Sequence, residues 1–153
     1  MKLEEIIAVD SIETNIEVQD KNELLSKMVD LAYKSGKVIN KNEALKDIHE
    51  REKLMSTGIG KGIALPHAKT NSVEDTVGSF VILKKPVDFE SLDGEPVSIV
   101  FLLLGRESNV GLHLRILSKI SRILNNDEYK ITIGGLKSGQ EVIDFFKKLE
   151  EEE

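Results

Sequence analysis

Val97-Ser98-Ile99-Val100-Phe101-Leu102-Leu103-Leu104 is an uncharged run with Ser98 as its single polar residue. So short and apolar a segment, opening on β-branched residues, predicts a strand covered on both faces. A strand buried on two sides needs a layer of helices on each side. Upstream, Thr76–Leu83 is a second uncharged segment rich in Val, Ile, Phe and Leu, again of strand character. Leu92-Asp93-Gly94-Glu95-Pro96 lies between the two and has the composition of a turn. Gly62–Leu65 predicts a shorter third strand, and Asn15–Val18 a weaker fourth.

The helices announce themselves by their starts. Asp20…Glu23, Asn40…Glu43 and Ser138…Glu141 each place a capping residue three positions before a glutamate. The first opens a helix over about 21–35, with Leu24, Leu25, Met28, Leu31 and Ala32 as its apolar stripe and Gly36 as its stop. The second opens a helix over about 41–55, and the third a C-terminal helix carrying Val142, Ile143, Phe145, Phe146 and Leu149. After the polar segment Gly105–Asn109, a helix over about 110–125 presents Leu112, Ile116, Leu117, Ile120, Ile123 and Leu124. The order of elements predicts an α/β sandwich. The acidic run Glu150–Glu153 is expected to be a frayed, solvated helix end.

At 153 residues the chain is expected to form one domain spanning 1–153. No segment approaches the ~20 apolar residues of a membrane span, and the N-terminus does not read as a secretory leader. There is no cysteine, which excludes disulfides, thiol catalysis and thiolate metal sites. The cytoplasm is the expected compartment. The net charge is −6, and the basic clusters are confined to Lys84-Lys85 and Lys147-Lys148, so a nucleic-acid partner is not expected.

Ser56-Thr57-Gly58-Ile59-Gly60-Lys61-Gly62-Ile63-Ala64-Leu65-Pro66-His67-Ala68-Lys69 is the stretch most suggestive of chemistry. Glycines at every second position run into a short strand that ends on Pro66-His67. Glycine permits positive φ and close approach of another group. Pro and Gly alone would suffice for a turn. The functional alternative is an imidazole in a loop, with one ring nitrogen tied to a backbone carbonyl and the other facing outward as a nucleophile. His113 opens the helix after the most buried strand and borders its apolar side. It reads either as a boundary histidine or as a neutral donor to an anion at the helix N-terminus. Arg51 and Glu52 fall within about 60° of the centre of their helix's apolar stripe, whereas His49 falls about 100° away. Charges so placed need partners: either an internal ion pair, or an oxyanion beside His67 for Arg51. The glycine stretch is neither a P-loop nor a dinucleotide fingerprint, and no nucleophile elbow is present. Histidine spacing neither supports nor excludes a metal.

At these residues the chain resembles the enzyme IIA domains of the fructose–mannitol class of the bacterial sugar phosphotransferase system. The likeness rests on Arg51-Glu52, Ser56–Gly60, Ile63–Lys69, the region of Phe89 and Asp93-Gly94, the strand Ile99–Leu104, and His113-Leu114. The resemblance implies a mixed sheet of about five strands flanked by helices on both sides. It implies a phosphotransferase whose phosphoryl-accepting nucleophile is His67, with His113 and Arg51 as the other active-site residues and Thr57, Gly58 and Gly60 in the loop lining the phosphate. No metal or other cofactor is expected. The implied donor is the histidine-containing phosphocarrier protein and the implied acceptor a cysteine of enzyme IIB, with membrane component IIC served indirectly. The absence of cysteine fits a free-standing component whose acceptor is on another chain. The alternative is the nitrogen-regulatory branch, which signals by phosphorylation-dependent binding to target proteins. The sugar, the IIB partner and the oligomeric state are not specified by these residues.

Overall fold

The computed structural model describes residues 1–152, which form six α-helices and one six-stranded sheet. The helices are α1 (Leu3–Ile6), α2 (Lys21–Tyr33), α3 (Lys41–Leu54), α4 (Val110–Leu124), α5 (Asp127–Gly134) and α6 (Gly139–Glu151). The strands are β1 (Ile12–Ile16), β2 (Gly58–Gly60), β3 (Ile63–Ala64), β4 (His67–Lys69), β5 (Val77–Val87) and β6 (Val97–Gly105). The three capping signals hold. Asp20, Asn40 and Ser138 accept from the N–H of Glu23, Glu43 and Glu141 at 2.8, 3.0 and 3.2 Å. Each satisfies one of the donors that a helix start leaves without an internal partner.

The sheet is mixed. β1 runs parallel to β5, β5 antiparallel to β6, and both β3 and β4 lie parallel along the far side of β6; β2 folds back on β3. Alternate residues of β6 feed two separate cores, as the two-residue strand period requires. Val100, Leu102 and Leu104 pack with α2 and α3. Ile99, Phe101 and Leu103 pack with α1, α4, α5 and α6. The helix layers on both sides are those expected from the apolar run of β6.

Several elements differ from the sequence expectation. There are six strands, because β2 and β4 are short segments with no apolar run of their own. His67 opens β4 and does not lie in a loop. The N-terminal strand is Ile12–Ile16, sharing Asn15 and Ile16 with the expected Asn15–Val18 but starting three residues earlier; Asn15 takes φ 61 at a register shift. β5 continues past Leu83 through exposed Lys84 to Pro86, with a register shift before Val87. α5 buries Ile133 alone, so it carries little periodicity. The acidic tail is not simply solvated. Glu150 lies within α6, accepts from the Leu3 N–H at 3.0 Å and pairs with Lys119 at 2.8 Å, its side chain 5% exposed. Glu153 lies outside the described residues.

Candidate active site

Leu65 and Pro66 interrupt what is otherwise one strand along β6. The register is kept across the break, since the Leu103 N–H donates to the Pro66 carbonyl at 3.0 Å and His67 pairs with Leu103. Ala68 packs into the core beneath α2 and α3. By strand alternation His67 and Lys69 point to the opposite side, where α4 begins. His67 Nδ1 lies 2.7 Å from the Leu65 carbonyl oxygen. That oxygen can only accept, so Nδ1 carries the hydrogen and the neutral ring keeps its lone pair on Nε2. The tautomer expected of a directed nucleophile is therefore built into the backbone two residues earlier.

His113, the fourth residue of α4, is 3% exposed and its ring centroid lies 5.6 Å from that of His67. Neither of its ring nitrogens has a hydrogen-bond partner. Its place is opened by Gly105, where an added Cβ would come 2.5 Å from His113 Nδ1. Burial first, then His67 and Lys69, push the His113 imidazole down to about 4. Burial likewise lowers His67 from its ordinary value, against the opposing hydrogen bond to Leu65; Arg51 and Lys69 lower it further and Glu52 opposes them. Both rings are therefore neutral at pH 7, one as a lone-pair donor and one as an unused hydrogen-bond donor.

His67 and His113 meet Arg51 in one cleft of about 770 Å³. Arg51 reaches it from the last turn of α3, where its Nη1 donates to the Met55 carbonyl at 3.1 Å. Lys69 supplies a further cation, and Leu54, Val110 and Leu114 form an apolar rim. Two adjacent imidazoles and two cations can receive a small anion and offer it a nucleophilic nitrogen. Among the described residues no group of three or more His, Asp or Glu side chains is placed to hold a metal ion.

Thr57, Gly58 and Gly60 do not join this cleft. Thr57 is buried, and both its N–H and its hydroxyl are taken by Glu52, each at 2.7 Å. The Gly58 N–H goes to Ser56 Oγ at 3.1 Å, and its Cα abuts Ser91. Gly60, at φ +95, lets Asp93 approach and accept the Lys61 N–H at 2.9 Å. These glycines let the β2 hairpin lie against the turn over 91–95, and neither lines the cleft that holds His67. His49 also stands apart, in a separate cleft of about 530 Å³ with Lys21 and Glu52. The open alternatives for Arg51 and Glu52 thus divide. Glu52 is an internal ion-pair partner, 3.0 Å from Lys21, and Arg51 lines the histidine cleft. Gly105 carries no signal of this role in the sequence, and Lys69 has only its two-residue spacing from His67 and its place in the stretch Ile63–Lys69.

The chain is similar in sequence and fold to known proteins. Residues 5–149 match the family described as phosphoenolpyruvate-dependent sugar phosphotransferase system, EIIA 2. A fructose-specific EIIABC component of Bacillus subtilis is 38% identical over 97% of this chain, which spans 23% of that protein. A nitrogen regulatory protein of Bradyrhizobium diazoefficiens is 36% identical over 84% of this chain and 83% of its own length. The crystal structure of nitrogen regulatory protein IIA-Ntr from Neisseria meningitidis superposes with a TM-score of 0.88 at 30% identity, covering 94% of this chain and 98% of that one. No helix among the described residues is long and apolar enough to cross a membrane. On fold, matched residues and identity together, the chain belongs to the EIIA 2 family of the phosphoenolpyruvate-dependent sugar phosphotransferase system.

Proposed function

We propose that residues 1–153 act as one cytoplasmic EIIA type-2 domain that carries a phosphoryl group on His67 Nε2. The observation that carries this reading is the 2.7 Å contact between His67 Nδ1 and the Leu65 carbonyl, which reserves Nε2 for attack. The donor is the phosphorylated histidine-containing phosphocarrier protein. Its P–N bond breaks as a P–Nε2 bond forms on His67. In the second step the P–Nε2 bond breaks and a P–S bond forms on a cysteine of enzyme IIB. These 153 residues hold no cysteine, so that acceptor lies outside them. Arg51 offers a planar fork to the phosphoryl oxygens. His113, neutral and without a partner, donates an N–H to them. Such a transfer demands alignment and charge stabilisation and little else.

A second reading has support of its own. Relatives named nitrogen regulatory proteins match over 83% of one and 98% of another, which favours a regulatory IIA that binds target proteins according to its phosphorylation state. One experiment separates the two. The chain is incubated with phosphoenolpyruvate, enzyme I and the phosphocarrier protein, and then with candidate IIB domains of the same organism. An acid-labile, base-stable label that is lost in His67→Ala and passes to a IIB cysteine supports the transport relay. A label that forms but passes to no IIB domain supports the regulatory reading. Label persisting in His67→Ala contradicts both.

A further inference from the structure

An unbroken chain of hydrogen bonds runs from the second cleft to the candidate nucleophile. Lys21 Nζ meets Glu52 Oε1 at 3.0 Å. The Glu52 carboxylate receives both the N–H and the hydroxyl of Thr57. The Thr57 carbonyl accepts the Leu65 N–H at 2.9 Å, and the Leu65 carbonyl accepts His67 Nδ1–H at 2.7 Å. Glu52 and Thr57 are 7% and 4% exposed, so water does not readily replace either partner. We propose that Glu52 and Thr57 are positioning residues that fix the tautomer and orientation of His67 through Leu65. The proposal rests on His67 acting as the nucleophile, but its main test does not.

The physical argument is one of restraint. A carbonyl holds an imidazole in one tautomer only while the carbonyl itself stays put. Leu65 lies between β3 and β4 and precedes a proline, which donates no hydrogen bond of its own. Its N–H bond to Thr57 therefore ties the break to the residue that precedes β2. Thr57 in turn is held twice by a carboxylate, and charge-assisted hydrogen bonds are the stronger kind. Lys21, 3.0 Å away, offsets the charge of that carboxylate within its buried site.

Thr57→Val removes one bond to Glu52 at nearly constant volume and leaves every charge in place. Thr57→Ser restores it. The tautomer of His67 is read directly from ring ¹⁵N shifts in the unphosphorylated protein, with the backbone amide spectrum reporting the fold. The wild type is expected to show the Nδ1–H form in large excess over a minor Nε2–H form. In Thr57→Val the Nε2–H form should gain roughly fivefold relative to it, about the shift carried by one net hydrogen bond, with recovery in Thr57→Ser. Glu52→Gln, which also loses the Lys21 pair, should show the same change or a larger one. Phosphoryl uptake should slow in Thr57→Val and recover in Thr57→Ser. An unchanged His67 tautomer in a folded Thr57→Val, or a change that Thr57→Ser does not reverse, overturns the proposal. Should Thr57→Val not fold, an unaltered tautomer in Glu52→Gln overturns it equally. A shifted tautomer in a protein that never takes up phosphoryl would uphold the positioning and remove the proposed function.

Discussion

His113→Leu separates the stability of this fold from its chemistry, and the size of the effect follows from the site. In the folded protein the His113 imidazole is pushed down to about 4 from 6.5. A group whose folded value is depressed holds its proton more weakly in the native state, so acid favours unfolding. The stabilisation from keeping His113 neutral is complete above the unfolded value and is lost as the pH falls from 6.5 towards about 4. Between about pH 7.5 and about pH 5 the two values give a loss of about 2 kcal/mol from this one residue. His67, lowered as well, acts in the same direction, so some slope remains when His113 is removed. At neutral pH the variant should be no less stable than the wild type. It eliminates two buried nitrogens without partners, each of a kind that costs ~1–3 kcal/mol, and Leu suits the helix. The assay is urea unfolding of both proteins at the two pH values. The drop in unfolding free energy on acidification should be smaller in His113→Leu by about 2 kcal/mol. Equal drops in the two proteins would refute a buried, neutral His113.

Three further outcomes follow. Gly105→Ala drives a methyl group to 2.5 Å from His113 Nδ1; a crystal structure should show the imidazole displaced, and phosphoryl uptake should fall with little change in unfolding temperature. Arg51→Lys keeps the charge but replaces a fork by a point, so the rate of uptake should fall by about tenfold, the equivalent of one lost charge-assisted hydrogen bond of ~1.4 kcal/mol, in a single-turnover assay with stability unaltered. Glu150→Leu removes the acceptor of the Leu3 N–H and the partner of Lys119. It should lower stability by about 1–3 kcal/mol and speed exchange of the N-terminal amides, neither of which a solvated tail would do.

Local chemistry was readable in the sequence, and distant chemistry was not. Asp20, Asn40 and Ser138 each lie three residues from the N–H they accept, so their caps could be read from adjacent letters. The two-faced burial of Val97–Gly105 was equally plain, because an uncharged strand leaves no face for water. The meeting of Arg51, His67 and His113 was different. These residues lie on α3, β4 and α4, and only the parallel pairing of β4 with β6 brings them together; spacing alone left each with an ordinary alternative. Glu52 was legible as a charge near a buried face, but its partners Lys21 and Thr57 were not, since one sits at the start of α2 and the other beyond the helix end. The glycines misled for a related reason. The resemblance implies that Gly58 and Gly60 line the phosphate, whereas Ser91 and Asp93 from a turn some thirty residues later fill the space beside them.

The central claim is that the phosphoryl group is carried on Nε2 of His67. The direct measurement is ³¹P and ¹⁵N NMR of the protein phosphorylated through enzyme I and the phosphocarrier protein, which distinguishes the two ring nitrogens of a phosphohistidine. A single phosphorus resonance coupled to Nε2 of His67, with Nδ1 still protonated against Leu65, is the predicted result. A phosphoryl group on Nδ1, on His113 or His49, or on no histidine would contradict the account.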